Sequence, residues 1–231
     1  MPIDDSPLTI EELDRDGALR EMSAEAEEAT RERDPDATRA TFLKRGGLLA
    51  GAGLLLGGIP ITRAMAQGGL PKGDVKILNF ALTLEFLEAA FYQEALSKGE
   101  LEGEALIFAQ VVAAHEAAHV QALQQTLGSQ AVKTPTFDFK DTTGKEKFLA
   151  TAQTLEDTGV AAYQGQADRI KTGAVLMAAA SILSVEARHA GWVRDIRGGG
   201  EGINPAPDAF EKASSMEDIL AAVEGTGFIK S

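Results

Sequence analysis

Two segments, Glu116-Ala117-Ala118-His119 and Glu186-Ala187-Arg188-His189, each set a glutamate three residues ahead of a histidine. On an α-helix that spacing puts carboxylate and imidazole on one face, a turn apart. Oxygen and nitrogen donors so paired suit a divalent first-row metal, and carboxylate-rich sets with some imidazole suit iron(II) and manganese(II). Each pair can hold one ion. Glu85 and Glu156 stand deep inside otherwise apolar stretches. An unpaired carboxylate is expensive to bury there, and a cation makes its burial tolerable.

The candidates repeat along the chain. Glu156 follows Glu85 by 71 residues, and Glu186 and His189 follow Glu116 and His119 by 70. Tyr92 and Tyr163, the two tyrosines of the chain, each lie seven residues after the glutamate of their own half. Seven residues is two helical turns, so each phenol shares a face with its glutamate. A pseudo-two-fold arrangement brings four glutamates and two histidines to one centre, with the tyrosines as either redox partners or core. Glu88, one turn beyond Glu85, is an alternative ligand to it, or a carboxylate that is solvated or stands just behind the ligands. His115-Glu116-Ala117-Ala118-His119 also reads literally as the H-E-x-x-H motif of zinc peptidases. That reading leaves Glu186 and His189 unexplained, so His115 is better taken as a neighbour of the ligands or a surface histidine. Trp192 suits packing or electron relay. The run Glu100, Glu102, Glu104 reads as a solvated turn, and Phe86, Phe91, Phe108 and Phe148 read as core.

Helices must carry these residues. Asp74 is a plausible N-cap for an apolar-periodic helix reaching about Lys98. A second helix runs from Glu104 to about Leu127, closed by Gly128. From Gly128 to Gly144 the helical period is lost among Pro135, threonines, Phe137 and Phe139, so this is a crossover loop. It is long enough to travel the length of a helix. A third helix is expected from Lys145 to about Ile170, a tight turn at Lys171-Thr172-Gly173, and a fourth from Ala174 to about Arg197. Ser214 with Glu217 makes a capping box for a short helix in the tail. Two hairpins joined by a long crossover is ferritin-like connectivity.

From Leu78 to Trp192 the chain resembles the ferritin-like superfamily of di-iron and di-manganese carboxylate proteins. The segments Leu78-Asn79-Phe80-Ala81-Leu82-Thr83-Leu84-Glu85-Phe86-Leu87-Glu88 and Val185-Glu186-Ala187-Arg188-His189-Ala190 resemble its exported branch, which includes desiccation-related proteins. The glutamate–tyrosine spacing is similar to that of bacterioferritin. The resemblance implies an all-α four-helix bundle. It also implies Glu85 and Glu156 as terminal ligands, Glu116 and Glu186 as bridging carboxylates, and His119 and His189 as one nitrogen ligand per metal, with two iron ions, or two manganese ions, as cofactor.

Composition bounds the alternatives. The 22 Lys and Arg against 35 Asp and Glu leave a formal charge of −13, which argues against nucleic acid and favours a small cation as partner. The absence of cysteine excludes disulfides, thiolate sites and iron–sulfur clusters. Residues 1–66 read as a disordered acidic leader plus an export signal. Lys44 and Arg45 precede the apolar run Gly46 to Ile61, and Ala64-Met65-Ala66 offers cleavage before Gln67. Thr38-Arg39-Ala40-Thr41-Phe42-Leu43-Lys44 resembles a twin-arginine signal with Ala40 in place of the second arginine, and Met22 is an alternative start. Spanning a bilayer takes about 20 apolar residues, so the run is marginal as an uncleaved membrane anchor. The expectation is a soluble bundle over 67–200 and a tail over 201–231, exported to the periplasm or beyond and compatible with a homo-oligomer. Its function would be ferroxidase-like redox chemistry with oxygen or peroxide. The alternatives are peroxide removal as in manganese catalase and a non-catalytic, desiccation-related stress bundle.

Overall fold

A computed structural model describes residues 69–198 and 204–230. The expected leader, export signal, cleavage point and membrane anchor lie outside the described residues. The described chain forms five α-helices: α1 Lys72–Lys98, α2 Gly103–Leu127, α3 Phe148–Gln166, α4 Gly173–Gly198 and α5 Met216–Thr226. None is long and apolar enough to cross a membrane.

α1 packs chiefly on α2 and α3 on α4, making two hairpins. The first turn is tight because Gly99 takes the left-handed conformation, at φ 66°, that ends α1. Gly128 ends α2, and a single 3₁₀ turn, Gly128–Gln130, leads into the crossover. Asn79 near the start of α1 receives the crossover through Val132 N–H, 2.7 Å, and gives its amide to the Gln130 carbonyl. At the other end of α1, Thr143 donates to Glu94 at 2.7 Å. The loop therefore travels the length of α1 and starts α3 at its far end, as the sequence predicts.

The boundaries of three helices differ from expectation. α1 begins two residues before Asp74, after Pro71, and Asp74 is fully buried in its first turn. Its carboxylate accepts the backbone N–H groups of Lys171 and Thr172, at 3.0 and 2.9 Å, tying α1 to the turn between α3 and α4. α3 begins at Phe148 rather than Lys145 and ends at Gln166, followed by a 3₁₀ turn over Ala167–Arg169. The cap of α5 is Ser215 rather than Ser214: its hydroxyl accepts the N–H of Asp218, while Ser214 donates its own N–H to the Ala161 carbonyl of α3.

The core falls into two apolar clusters. One gathers Phe91, Phe108, Phe148, the crossover's Phe139 and the tail's Ile219, Val223 and Phe228. The other gathers Leu78, Leu82, Phe86, Leu123, Leu127, Val175 and Ile182. Tail and crossover are joined by an antiparallel bridge between Phe137 and Ile229.

Candidate metal centre

Glu85, Glu116, Glu156 and Glu186 each stand within one residue of the midpoint of α1, α2, α3 and α4 respectively. Each is no more than 1% exposed. A helix so placed has its backbone polar groups satisfied by its own ladder, so side chains alone supply this polar layer. His119 and His189 follow one turn on, also buried. The six residues that the spacing singled out converge.

They fall into two groups in which one donor atom from each residue lies within 4.8 Å of the others: Glu85, Glu116, His119 and Glu186, and Glu116, Glu156, Glu186 and His189. Glu116 and Glu186 belong to both. His119 Nδ1 has oxygens of Glu85, Glu116 and Glu186 at 3.1–3.2 Å. His189 Nδ1 has those of Glu116 and Glu156 at 3.2 and 3.1 Å. One ring nitrogen has one proton to give, so it satisfies one oxygen at a time. Glu116 Oε1 and both oxygens of Glu186 are buried without a hydrogen-bond partner among the described residues. Ionising a buried carboxyl in that state costs several kcal/mol, which a cation would offset.

The tyrosines cross between the halves. Tyr92 of α1 donates to Glu156 Oε1 on α3, and Tyr163 of α3 donates to Glu85 Oε1 on α1. Glu156 and Glu85 thus each give one oxygen to a phenol and turn the other toward an imidazole. Burial first, then the adjacent carboxylate, pushes both phenols well above their ordinary value.

Electrostatics divides the carboxylates. Burial, then the charge of Glu85, raises Glu116 well above the carboxylate range, and burial, then the charge of Glu116, does so for Glu186. Burial works the same way on Glu85, but hydrogen bonding and attraction from His119 bring it below its usual value. Burial alone would lower His119, yet Glu116, Glu186 and Glu85 around it raise it.

Glu88 is 3% exposed rather than solvated. Its carboxyl lies over Gly159 of α3, where a Cβ would meet Glu88 Oε1 at 3.3 Å and Glu186 Oε2 at 3.2 Å. Burial, then the charge of Glu186, raises it strongly. It joins the polar layer beside Glu85 and belongs to neither donor group. His115 belongs to neither donor group. It sits on the exposed side of α2, stacks on His189 at 5.1 Å and 15°, and brings Nδ1 to 2.8 Å from His189 Nε2. The two histidines of the H-E-x-x-H motif therefore do not share one cation position as a zinc peptidase requires. Trp192 packs edge-on against Phe108.

A model of the ferritin-like domain matches residues 73–199, more than half of the chain. The chain belongs to the ferritin-like domain family. The matched segment holds all four bundle helices and every residue of the polar layer, so the ferritin-like match and the donor cluster coincide. A comparison with curated proteins finds no match.

One buried group of this ferritin-like bundle escaped sequence reasoning. Gln166 is 2% exposed, with neither amide atom hydrogen-bonded among the described residues. It lines an apolar cavity with Ile77, Leu78, Ala162, Tyr163 and Ile182. Its place three residues after Tyr163, on the same helical face, was the available signal.

Proposed function

We propose that the chain is a two-metal carboxylate protein, with Glu85 and His119 on one ion, Glu156 and His189 on the other, and Glu116 and Glu186 shared between them. Its reaction is the ferroxidase-like oxidation of iron(II) by dioxygen or peroxide. The observation that carries this reading is that both donor groups contain the same two middle glutamates. Shared carboxylates would hold two cations close together, and two redox-active ions there would supply the electron pair that dioxygen or peroxide accepts. The chain's own residues do the rest. Glu116 and Glu186 neutralise the cations, and the imidazoles add nitrogen donors. Tyr92 and Tyr163 hold the terminal carboxylates in a fixed orientation from opposite ends. The two apolar clusters on either side of the layer limit water at the reacting ions. The donor set suits manganese as well as iron, and elemental analysis decides between them.

We place this chemistry outside the cytoplasm because Lys44-Arg45, the apolar run after it and Ala64-Met65-Ala66 follow the order of an export signal. A mature N-terminus at Gln67, read from protein recovered outside the cytoplasm, tests that part.

The central test is elemental analysis of the purified protein followed by oxygen uptake. The expected content is about two equivalents of iron or manganese per chain, with oxygen consumption that depends on added iron(II). Manganese with peroxide disproportionation moves the function to peroxide removal. If replacing Glu116 and His119 together by alanine improves folding and removes no activity, the bundle is non-catalytic.

A further inference from the structure

The six donors obey a pseudo-two-fold repeat, and two residues beside them break it. The 70-residue offset that takes Glu116 to Glu186 and His119 to His189 takes His115 to Val185. The 71-residue offset that takes Glu85 to Glu156 takes Glu88 to Gly159. Only His115 acts on one half alone, since Glu88 lies beside Glu186, which both donor groups contain.

His189 turns Nδ1 toward Glu116 and Glu156, and its outer nitrogen lies 2.8 Å from His115 Nδ1. To offer Nδ1 as a lone pair, His189 must carry its proton on Nε2, which then donates to His115 Nδ1. That bond sets both the tautomer and the ring orientation of His189, as an outer partner does for a metal-ligating histidine. Among the described residues no side chain bonds the outer nitrogen of His119. Val185, the counterpart of His115, has no acceptor to offer.

Glu88 reaches from α1 to α3 over Gly159, one turn beyond Glu156, and lies alongside Glu186. It fits there because Gly159 has no Cβ. Its counterpart Gly159 supplies no carboxylate. One side of the centre therefore has an oriented imidazole that the other lacks.

We propose that the two cation positions are unequal, and that the one held by Glu156 and His189 fills first because His115 orients His189. The proposal rests on the two-metal reading and adds an order to it. His115 is a positioning residue in this scheme.

Titration of the metal-free full-length protein with cobalt(II), followed by visible absorbance and calorimetry, tests it. The expected result is two resolved steps. Glu85→Gln should weaken the second step and leave the first. His115→Val, which copies the other half, should weaken the first step by roughly tenfold to a hundredfold and merge the two. His115→Asn restores an acceptor near the position of Nδ1 and should recover the split, which a merely structural histidine would not require. His115 is exposed, so its variants should fold, and circular dichroism checks this. Two indistinguishable steps in the wild type overturn the proposal while leaving the two-metal reading intact. So does loss of the tight step in Glu85→Gln, or a split unchanged in His115→Val. No cobalt binding at all overturns both.

Discussion

Tyr92 and Tyr163 look alike in the sequence and act alike in the fold. Each phenol donates to the terminal glutamate of the opposite hairpin. A hydrogen bond to a charged group contributes about 1.5–3 kcal/mol, so Tyr92→Phe should cost about that much by leaving Glu156 Oε1 unpaired. Tyr163→Phe should cost a similar amount through Glu85. Chemical denaturation measures both, and a loss under about 0.5 kcal/mol would mean that the bonds are not made. Gln166 points the other way. Its buried amide has no partner among the described residues, so Gln166→Leu should raise the melting temperature, by about 2–4 °C for each kcal/mol recovered. A fall would show that water satisfies the amide. The glutamates and histidines of the centre were legible because a three-residue spacing on a helix is a local property. Gln166 was not, because polarity in a helical sequence says nothing about which face is buried until neighbouring helices are in place.

Among the elements, α3 decides how the tail docks. The Ser214 carbonyl lies 1.8 Å from where a Cβ on Gly165 would stand, and the Ser214 N–H reaches Ala161 one turn earlier. Alanine normally favours a helix over glycine by about 1 kcal/mol. Here the backbone clash should win: Gly165→Ala should lose about 1–3 kcal/mol and free α5 from Ile219 and Val223 contacts with the core. Faster proteolysis of the tail reads this directly, and a variant as resistant as wild type defeats the account. The helices themselves were readable from apolar periodicity and glycine stops. Their first residues were less so. Asp74 has the chemistry of an N-cap, but its oxygens find better donors in Lys171 and Thr172 almost a hundred residues away. Ser214 and Ser215 are equivalent as caps by composition, and the contact of Ser214 with α3 chooses Ser215.

For the whole molecule the polar layer makes stability depend on pH and on cations. In the metal-free protein Glu88, Glu116 and Glu186 are raised by burial and by the carboxylates around them. A carboxyl raised in the folded state stabilises the fold below its unfolded value of about 4.3 and loses that contribution as pH climbs through the folded value. His119, raised by the carboxylates around it, also loses its contribution as pH rises. Glu85, lowered, works in the opposite sense and is outnumbered. The metal-free melting temperature should therefore fall between about pH 5 and pH 8. Manganese(II) binds the deprotonated ligands, so it should reduce that fall, and a hundredfold excess over the dissociation constant should add about 2.7 kcal/mol. Thermal scans at several pH values, with manganese or with chelator, check both. A metal-free melting temperature that rises over this range would contradict the burial of these groups.

Sequence alone singled out the six side chains that the fold brings into two donor groups. Spacing along a helix and the 70- and 71-residue offsets are one-dimensional facts that folding preserves. Only the tertiary structure decided that Glu116 and Glu186 are common to both donor groups, that each phenol crosses to the other hairpin, and that His115 turns to His189. Those relations depend on which helices lie side by side and at what height. That is settled by the packing of the two apolar clusters and by the length of the crossover, not by any single segment.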